Sequence, residues 1–176
     1  MKAPKVPKPI RHTVPLDAFP TLLAACDEVR DKLILALLAD TGVRRSELAA
    51  ILVRDIDTNR RTIKIWGKGA RQRLVVFGPS TASLLTDYLH RVMGERLFEF
   101  GVYGIEQMLK RLEITTGIKC NAHSFRRTFA TESVRNGMNL FYVQSLLGHS
   151  SLTMTRIYAE QVNNEDAIKA YKPIVR

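Results

Sequence analysis

One stretch of this chain changes its hydrophobic period, and it limits the folds open to the rest. RTIKIW (Arg61 to Trp66) and RQRLVVF (Arg71 to Phe77) are two β-type runs separated by GKGA. A glycine-rich break between two such runs predicts an antiparallel hairpin. LVRDI (Leu52 to Ile56) just before them can supply a third short strand. On either side the pattern is helical. The expected fold class is therefore mainly α with a small antiparallel β-sheet (α+β).

Before the hairpin, VPLDAFPTLLAAC sets Leu16, Phe19, Leu22 and Leu23 on one helical face. A second helix is expected from about Arg30 to Asp40, ending where Gly42 can take a left-handed conformation. A third begins near Arg44. After the hairpin, helical patterning returns at STASLLTDYLHRVM, VYGIEQMLKRLEI, SFRRTFATESVRNG and LFYVQSLLG, and continues through SLTMTRIYA and NEDAIKAY. No internal repeat is visible. Residues 1–14 hold three prolines and four lysines or arginines without an apolar period, which reads as an extended basic linker or arm. Residues 15–176 then form one domain.

The longest apolar run, LILALLA (Leu33 to Ala39), suits a buried helix and is far shorter than the roughly 20 residues of a membrane span. Two cysteines, Cys26 and Cys120, are too few for a disulfide framework. Cys120 and His123 have the spacing of half a zinc site, but no second pair completes it. Charge is more informative. Twenty-seven Lys and Arg against 17 Asp and Glu leave a formal +10, the electrostatic footprint of a nucleic acid or acidic membrane partner.

Two local motifs fail on inspection. DIDTN starts like a calcium loop, but the sixth and twelfth positions are Arg60 and Trp66 rather than Gly and Glu. WGKGARQR has a Gly-Lys pair flanked by strands, whereas a phosphate loop needs a strand on one side and a helix on the other. TGVRRSEL (Thr41 to Leu48) is harder to dismiss. It puts Arg44 and Arg45 at a helix N-terminus, against the positive end of the helix dipole. Either a bound anion or an ion pair with Glu47 would account for them. In AHSFRRTFAT, His123 and Arg126 lie three apart, as they would to share an oxyanion. Tyr158 follows His149 by nine residues in GHSSLTMTRIYAE, where either packing or chemistry would suit it.

Taken together, these residues match one kind of chemistry. Covalent cleavage of a phosphodiester needs a nucleophile, a clamp for the charged oxygens, a base and an acid. Two arginines can clamp bidentately, histidine moves protons near neutral pH, and a hairpin lysine can reach a leaving oxygen. TGVRRSEL, GKGARQRLVVF, HSFRRTFAT and LGHSSLTMTRIY, in that order, resemble the four signatures of the tyrosine recombinase (phage integrase) family.

The resemblance implies a site-specific DNA recombinase or integrase catalytic domain, an enzyme that breaks and rejoins DNA through a 3′-phosphotyrosine. Arg44 and Arg126 would clamp the phosphate, and Lys68 would be the general acid for the 5′ oxygen. His123 would assist proton transfer, His149 would hydrogen-bond the scissile phosphate, and Tyr158 would be the nucleophile. Glu47 would support the helix of Arg44. Arg45 and Arg127 are candidate DNA contacts, Arg127 standing where many members carry histidine. No metal or nucleotide cofactor is implied. A topoisomerase-like nicking and resealing activity, or a non-catalytic DNA-binding regulator of the same fold, are the alternatives.

The partners implied are double-stranded DNA and further copies of the chain in a synaptic tetramer, with a tail helix at about 163–172 docking on a neighbour, and no membrane. The expected location is cytoplasmic and nucleoid-associated. The N-terminal core-binding domain usual in the family is expected to be absent from these 176 residues.

Overall fold

The computed structural model describes residues 12–67 and 72–149. Lys68, Tyr158, the tail helix and the two last helical segments expected from the sequence lie outside the described residues.

The described chain begins against the domain, not away from it. Val14 is buried, and its N–H donates to the Thr128 hydroxyl at 2.8 Å. A 3-10 turn (Leu16–Ala18) leads into α1 (Phe19–Ala24), and this junction corrects one expectation. Leu16 is 59% exposed, because it belongs to the turn and the 3.6-residue period does not carry across the junction. Leu22, inside α1, is fully buried.

Helix α2 (Val29–Thr41) is the centre of the fold, packing against α4 (Pro79–Leu89) and α6 (Ala122–Arg135). Leu33, Ile34, Leu35, Leu37 and Leu38 are all fully buried, so the helix is apolar nearly all round, as a core helix must be. It stops at Gly42, with φ +59°. The short α3 (Arg45–Ala49) follows and packs on α5 (Gly101–Thr116).

The sheet has the order β1-β2-β3 and is antiparallel throughout. β1 (Ile56–Asp57) starts at the last residue of LVRDI, most of which instead forms a 3-10 turn (Val53–Asp55). β2 (Thr62–Trp66) and β3 (Gln72–Val76) pair in the register Ile63 with Val75 and Ile65 with Arg73. Ile63, Ile65 and Val75 face the core. By the same alternation Arg73 faces inward, while Leu74 and Val76 are exposed.

Two caps start the last described helices. Asn121 Oδ1 accepts from the Ser124 N–H at 2.9 Å, and Asn121 N–H donates to the Ser124 hydroxyl at 2.9 Å, fixing the first turn of α6. Asn139 does the same for α7 (Leu140–Leu147) by accepting from the Phe141 N–H. The packing around α7 is separate. Ala130, Val143 and Leu147 form a small cluster with Phe129, Val134 and Met138, apart from the main core. The placement of α7 therefore depends heavily on polar ties at its end. No helix among the described residues is long and apolar enough to cross a membrane.

Candidate active site

Four segments distant in sequence meet at one cleft of about 840 Å³: the start of α3, the hairpin, and the end of α7 with the residues after it line it, and α6 supplies a buried arginine beside it. Arg44, Ser46, Glu47, Trp66, Gly67, Gln72, Arg73, Ser145, Gly148 and His149 form its walls.

Arg44 is the N-cap residue of α3, and its side chain is 39% exposed. Its backbone N–H donates to Glu47 Oε2 at 2.8 Å and its Nη1 to Glu47 Oε1 at 2.9 Å. Of the two explanations for the arginines at this helix start, the ion pair with Glu47 is thus present for Arg44, while Arg45 does not share it. Glu47 is buried and also receives Arg73, through Nη1 to Oε1 at 2.9 Å and Nη2 to Oε2 at 2.7 Å. Burial alone would push the Glu47 carboxyl up. The hydrogen bonds from Arg73 and from the Arg44 backbone, with the charges of both arginines, outweigh it and hold the carboxyl down at about 2.

Arg126 is only 5% exposed, a buried cation with a specific reason to be there. Its Nη1 donates to the Gly42 carbonyl at 2.6 Å and its Nη2 to the Leu147 carbonyl at 2.7 Å. These carbonyls lie at the C-terminal ends of α2 and α7. Both helix dipoles therefore present their negative ends to the guanidinium. The end of α7 is fully accounted for. Gln144 and Ser145 carbonyls accept from the Gly148 N–H, the Gln144 carbonyl also from the His149 N–H, that of Leu146 from Arg73 Nε, and that of Leu147 from Arg126.

Two glycines make this packing possible. A Cβ on Gly42 would lie 2.5 Å from Phe129 Cδ1, and one on Gly148, at φ +66°, would lie 3.1 Å from the Arg73 side chain. Each combines a left-handed backbone with close contact that a larger residue would disturb.

His149 leaves α7 into the cleft wall. Burial, then the charges of Arg126, Arg44 and Arg73, lower its pKa from the usual 6.5 to about 4, so it is neutral at neutral pH. His123 is exposed at the first turn of α6. Burial of part of its ring, with Arg127, Arg126, Arg45 and Arg44 nearby, also lowers its pKa. Both imidazoles are thus shifted down, by burial first and by neighbouring arginine charge second.

The candidate DNA contacts have protein partners. Arg45 pairs with Glu106 of α5 at 2.6 Å. Arg127 Nε donates to the His12 carbonyl at 2.8 Å, which ties α6 to the segment ahead of α1. Cys120 is buried with its Sγ directed at the Leu109 carbonyl, 3.7 Å away. Arg73 is the residue that the motifs passed over. Its signal was the alternation of β3: Val75 and Phe77 point inward, so Arg73 must too, and an inward arginine needs a carboxylate. The apolar run LVV hid that alternation, since Leu74 and Val76 are apolar yet exposed.

Fold and cleft together describe a mainly helical domain with Arg44, Arg73 and His149 in one cleft wall and Arg126 buried beside it. Comparisons with known proteins assign it further. The profile of the phage integrase family matches residues 13–165, and the chain belongs to that family. It is 38% identical over 164 residues to the tyrosine recombinase XerA of Saccharolobus solfataricus, covering 90% of this chain and 56% of that protein. It is 36% identical over 149 residues to the tyrosine recombinase XerC of Listeria monocytogenes, covering 74% of this chain and 49% of that one. Among solved structures, the crystal structure of XerA recombinase superposes with a TM-score of 0.81 at 29% identity, covering 94% of this chain and 65% of that chain. XerH recombinase, solved bound to its difH substrate, has the same fold, with a TM-score of 0.76 at 23% identity and coverage of 90% and 52%. The chain thus spans about half the length of the curated relatives it matches.

Proposed function

We propose that this chain is the catalytic domain of a site-specific DNA recombinase, residues 15–176 forming the unit that cuts and rejoins strands. The observation that carries this reading is the meeting of Arg44, Arg126 and His149 around one cleft, from three separate segments, in a chain similar to tyrosine recombinases. Such an arrangement suits a phosphodiester better than a neutral ligand, because the arginine charges are held in place by Glu47 and by two helix ends.

In this reading the Tyr158 phenolate oxygen attacks the scissile phosphorus and forms a phosphotyrosine to the 3′ side. The bond from phosphorus to the 5′ oxygen breaks, and Lys68 gives that oxygen its proton. A phenol has a pKa near 10 and needs help to lose its proton. His123, whose pKa is lowered by partial burial and nearby arginines, is suited to accept it. Arg44 and Arg126 take the charge on the non-bridging oxygens, and neutral His149 donates a further hydrogen bond. Attack by another strand's 5′-hydroxyl reverses the sequence. One phosphate ester is exchanged for another, so no nucleotide is consumed, and no metal is required.

Double-stranded DNA is the proposed partner. The net charge of +10 favours phosphate contacts, so binding should weaken steeply with salt. Arg45 and Arg127 can add backbone contacts with donors beyond those facing Glu106 and His12. Assembly into a synaptic tetramer through the tail at about 163–172, in a cytoplasmic, nucleoid-associated setting, completes the proposal. The test is incubation with a nicked suicide duplex that loses the 5′-hydroxyl after cleavage. A covalent protein–DNA band on a denaturing gel is expected. Retained DNA binding without any band would overturn the catalytic reading in favour of a DNA-binding role.

A further inference from the structure

Arg73 holds no role in the motifs, yet it makes three hydrogen bonds at the cleft. It is 11% exposed, and its three nitrogens all donate: Nη1 and Nη2 to the two Glu47 oxygens, Nε to the Leu146 carbonyl at 2.7 Å. It therefore joins the hairpin strand β3 to the start of α3 and to the end of α7.

The division of Glu47 between its two arginines is the informative detail. A carboxylate offers about four acceptor positions. Oε1 accepts from Arg44 Nη1 and Arg73 Nη1, while Oε2 accepts from the Arg44 backbone and Arg73 Nη2. Glu47 is thereby saturated, and the Arg44 guanidinium is left with one hydrogen bond to it. If Arg73 were absent, two positions on Glu47 would open beside Arg44. A guanidinium next to a free carboxylate closes on it in the two-pronged geometry, turning its second donor away from any other anion.

We propose that Arg73 is a positioning residue of the phosphate site. By occupying both oxygens of Glu47, it prevents Glu47 from capturing Arg44 and keeps the Arg44 guanidinium available to a phosphate in the cleft. The role rests on reading that cleft as a phosphodiester site.

The test follows the Arg44 Nε–Hε resonance of the full chain by NMR while inorganic phosphate is added. Wild type, Arg73→Ala and Arg73→Ala/Glu47→Gln are compared, each first checked for cooperative melting. Arg73→Ala should weaken phosphate binding about tenfold, the scale of one lost charge-assisted contact. The double variant should return to within about threefold of wild type, because glutamine has no charge with which to hold Arg44. If Arg73→Ala does not fold, Arg73→Lys with and without Glu47→Gln serves instead, since lysine keeps the charge but cannot occupy both oxygens. An equal loss in single and double variants, no loss in either, or no phosphate response in wild type would overturn the proposal. The nicked duplex is assayed alongside with wild type. Phosphate binding in the expected pattern without a covalent adduct would leave the positioning role standing and remove strand transfer. An adduct without the pattern would do the reverse.

Discussion

Arg126 Nη1 donates to the Gly42 carbonyl over 2.6 Å, joining the second turn of α6 to the end of α2. The bond exists because Gly42 turns its backbone into the left-handed region while Phe129 closes over its Cα. The proposed phosphate clamp and the fold are therefore coupled at one peptide.

Replacing Gly42 with alanine tests that coupling. The new Cβ would meet Phe129 Cδ1 at 2.5 Å in a backbone conformation that alanine resists. The expected loss is about 2–4 kcal/mol, from combined strain and overpacking, read from urea denaturation midpoints. Strand cleavage should fall further than the unfolded fraction explains, since the Arg126 acceptor moves. A change within about 0.5 kcal/mol, the range of ordinary surface substitutions, would show that the contact relaxes freely.

Glu47 sets an acid limit on stability. Its carboxyl lies at about 2 in the folded chain against an ordinary 4.5, so the unfolded state binds the extra proton between those values. Its contribution is complete above about pH 4.5 and is lost as pH falls toward 2. The shift corresponds to something on the order of 3 kcal/mol. Denaturation curves at successive pH values should show this limb in wild type and a flatter one in Glu47→Gln.

His149 gives a second pH signature with a ligand dependence. Its pKa of about 4 stems from burial and three neighbouring arginines, so stability should fall as pH drops from about 6.5 toward 4. A phosphate in the cleft offsets the arginine charges. The His149 resonance should then titrate higher, by a unit or more on the scale of an adjacent opposite charge. An unchanged titration in the presence of DNA would place the phosphate elsewhere.

Much of this fold can be read directly from residue types. The hairpin follows from two β-type runs around a glycine-rich break, and the end of α2 from a glycine after an apolar helix. Arg44, Arg126 and His149 could be proposed for one site only as a set, since each alone suits an ordinary surface or capping role. Leu16 was misplaced because a 3-10 turn interrupts the helical period. Arg73 went unseen for a different reason. Its meaning depends on a carboxylate 26 positions away and on which face of β3 is inward, and neither is local in sequence. The ties of Arg73 and Arg126 to the last carbonyls of α7 are likewise tertiary.

In the proposed mechanism Tyr158 forms the bond to DNA. The most direct measurement isolates the covalent adduct from a nicked suicide duplex, digests it with trypsin and nuclease, and maps the modified peptide by mass spectrometry. The expected result is a 3′-nucleotide phosphate on Tyr158, with no adduct from Tyr158→Phe and unchanged DNA binding by that variant. An adduct on another residue, or one that persists in Tyr158→Phe, would contradict it.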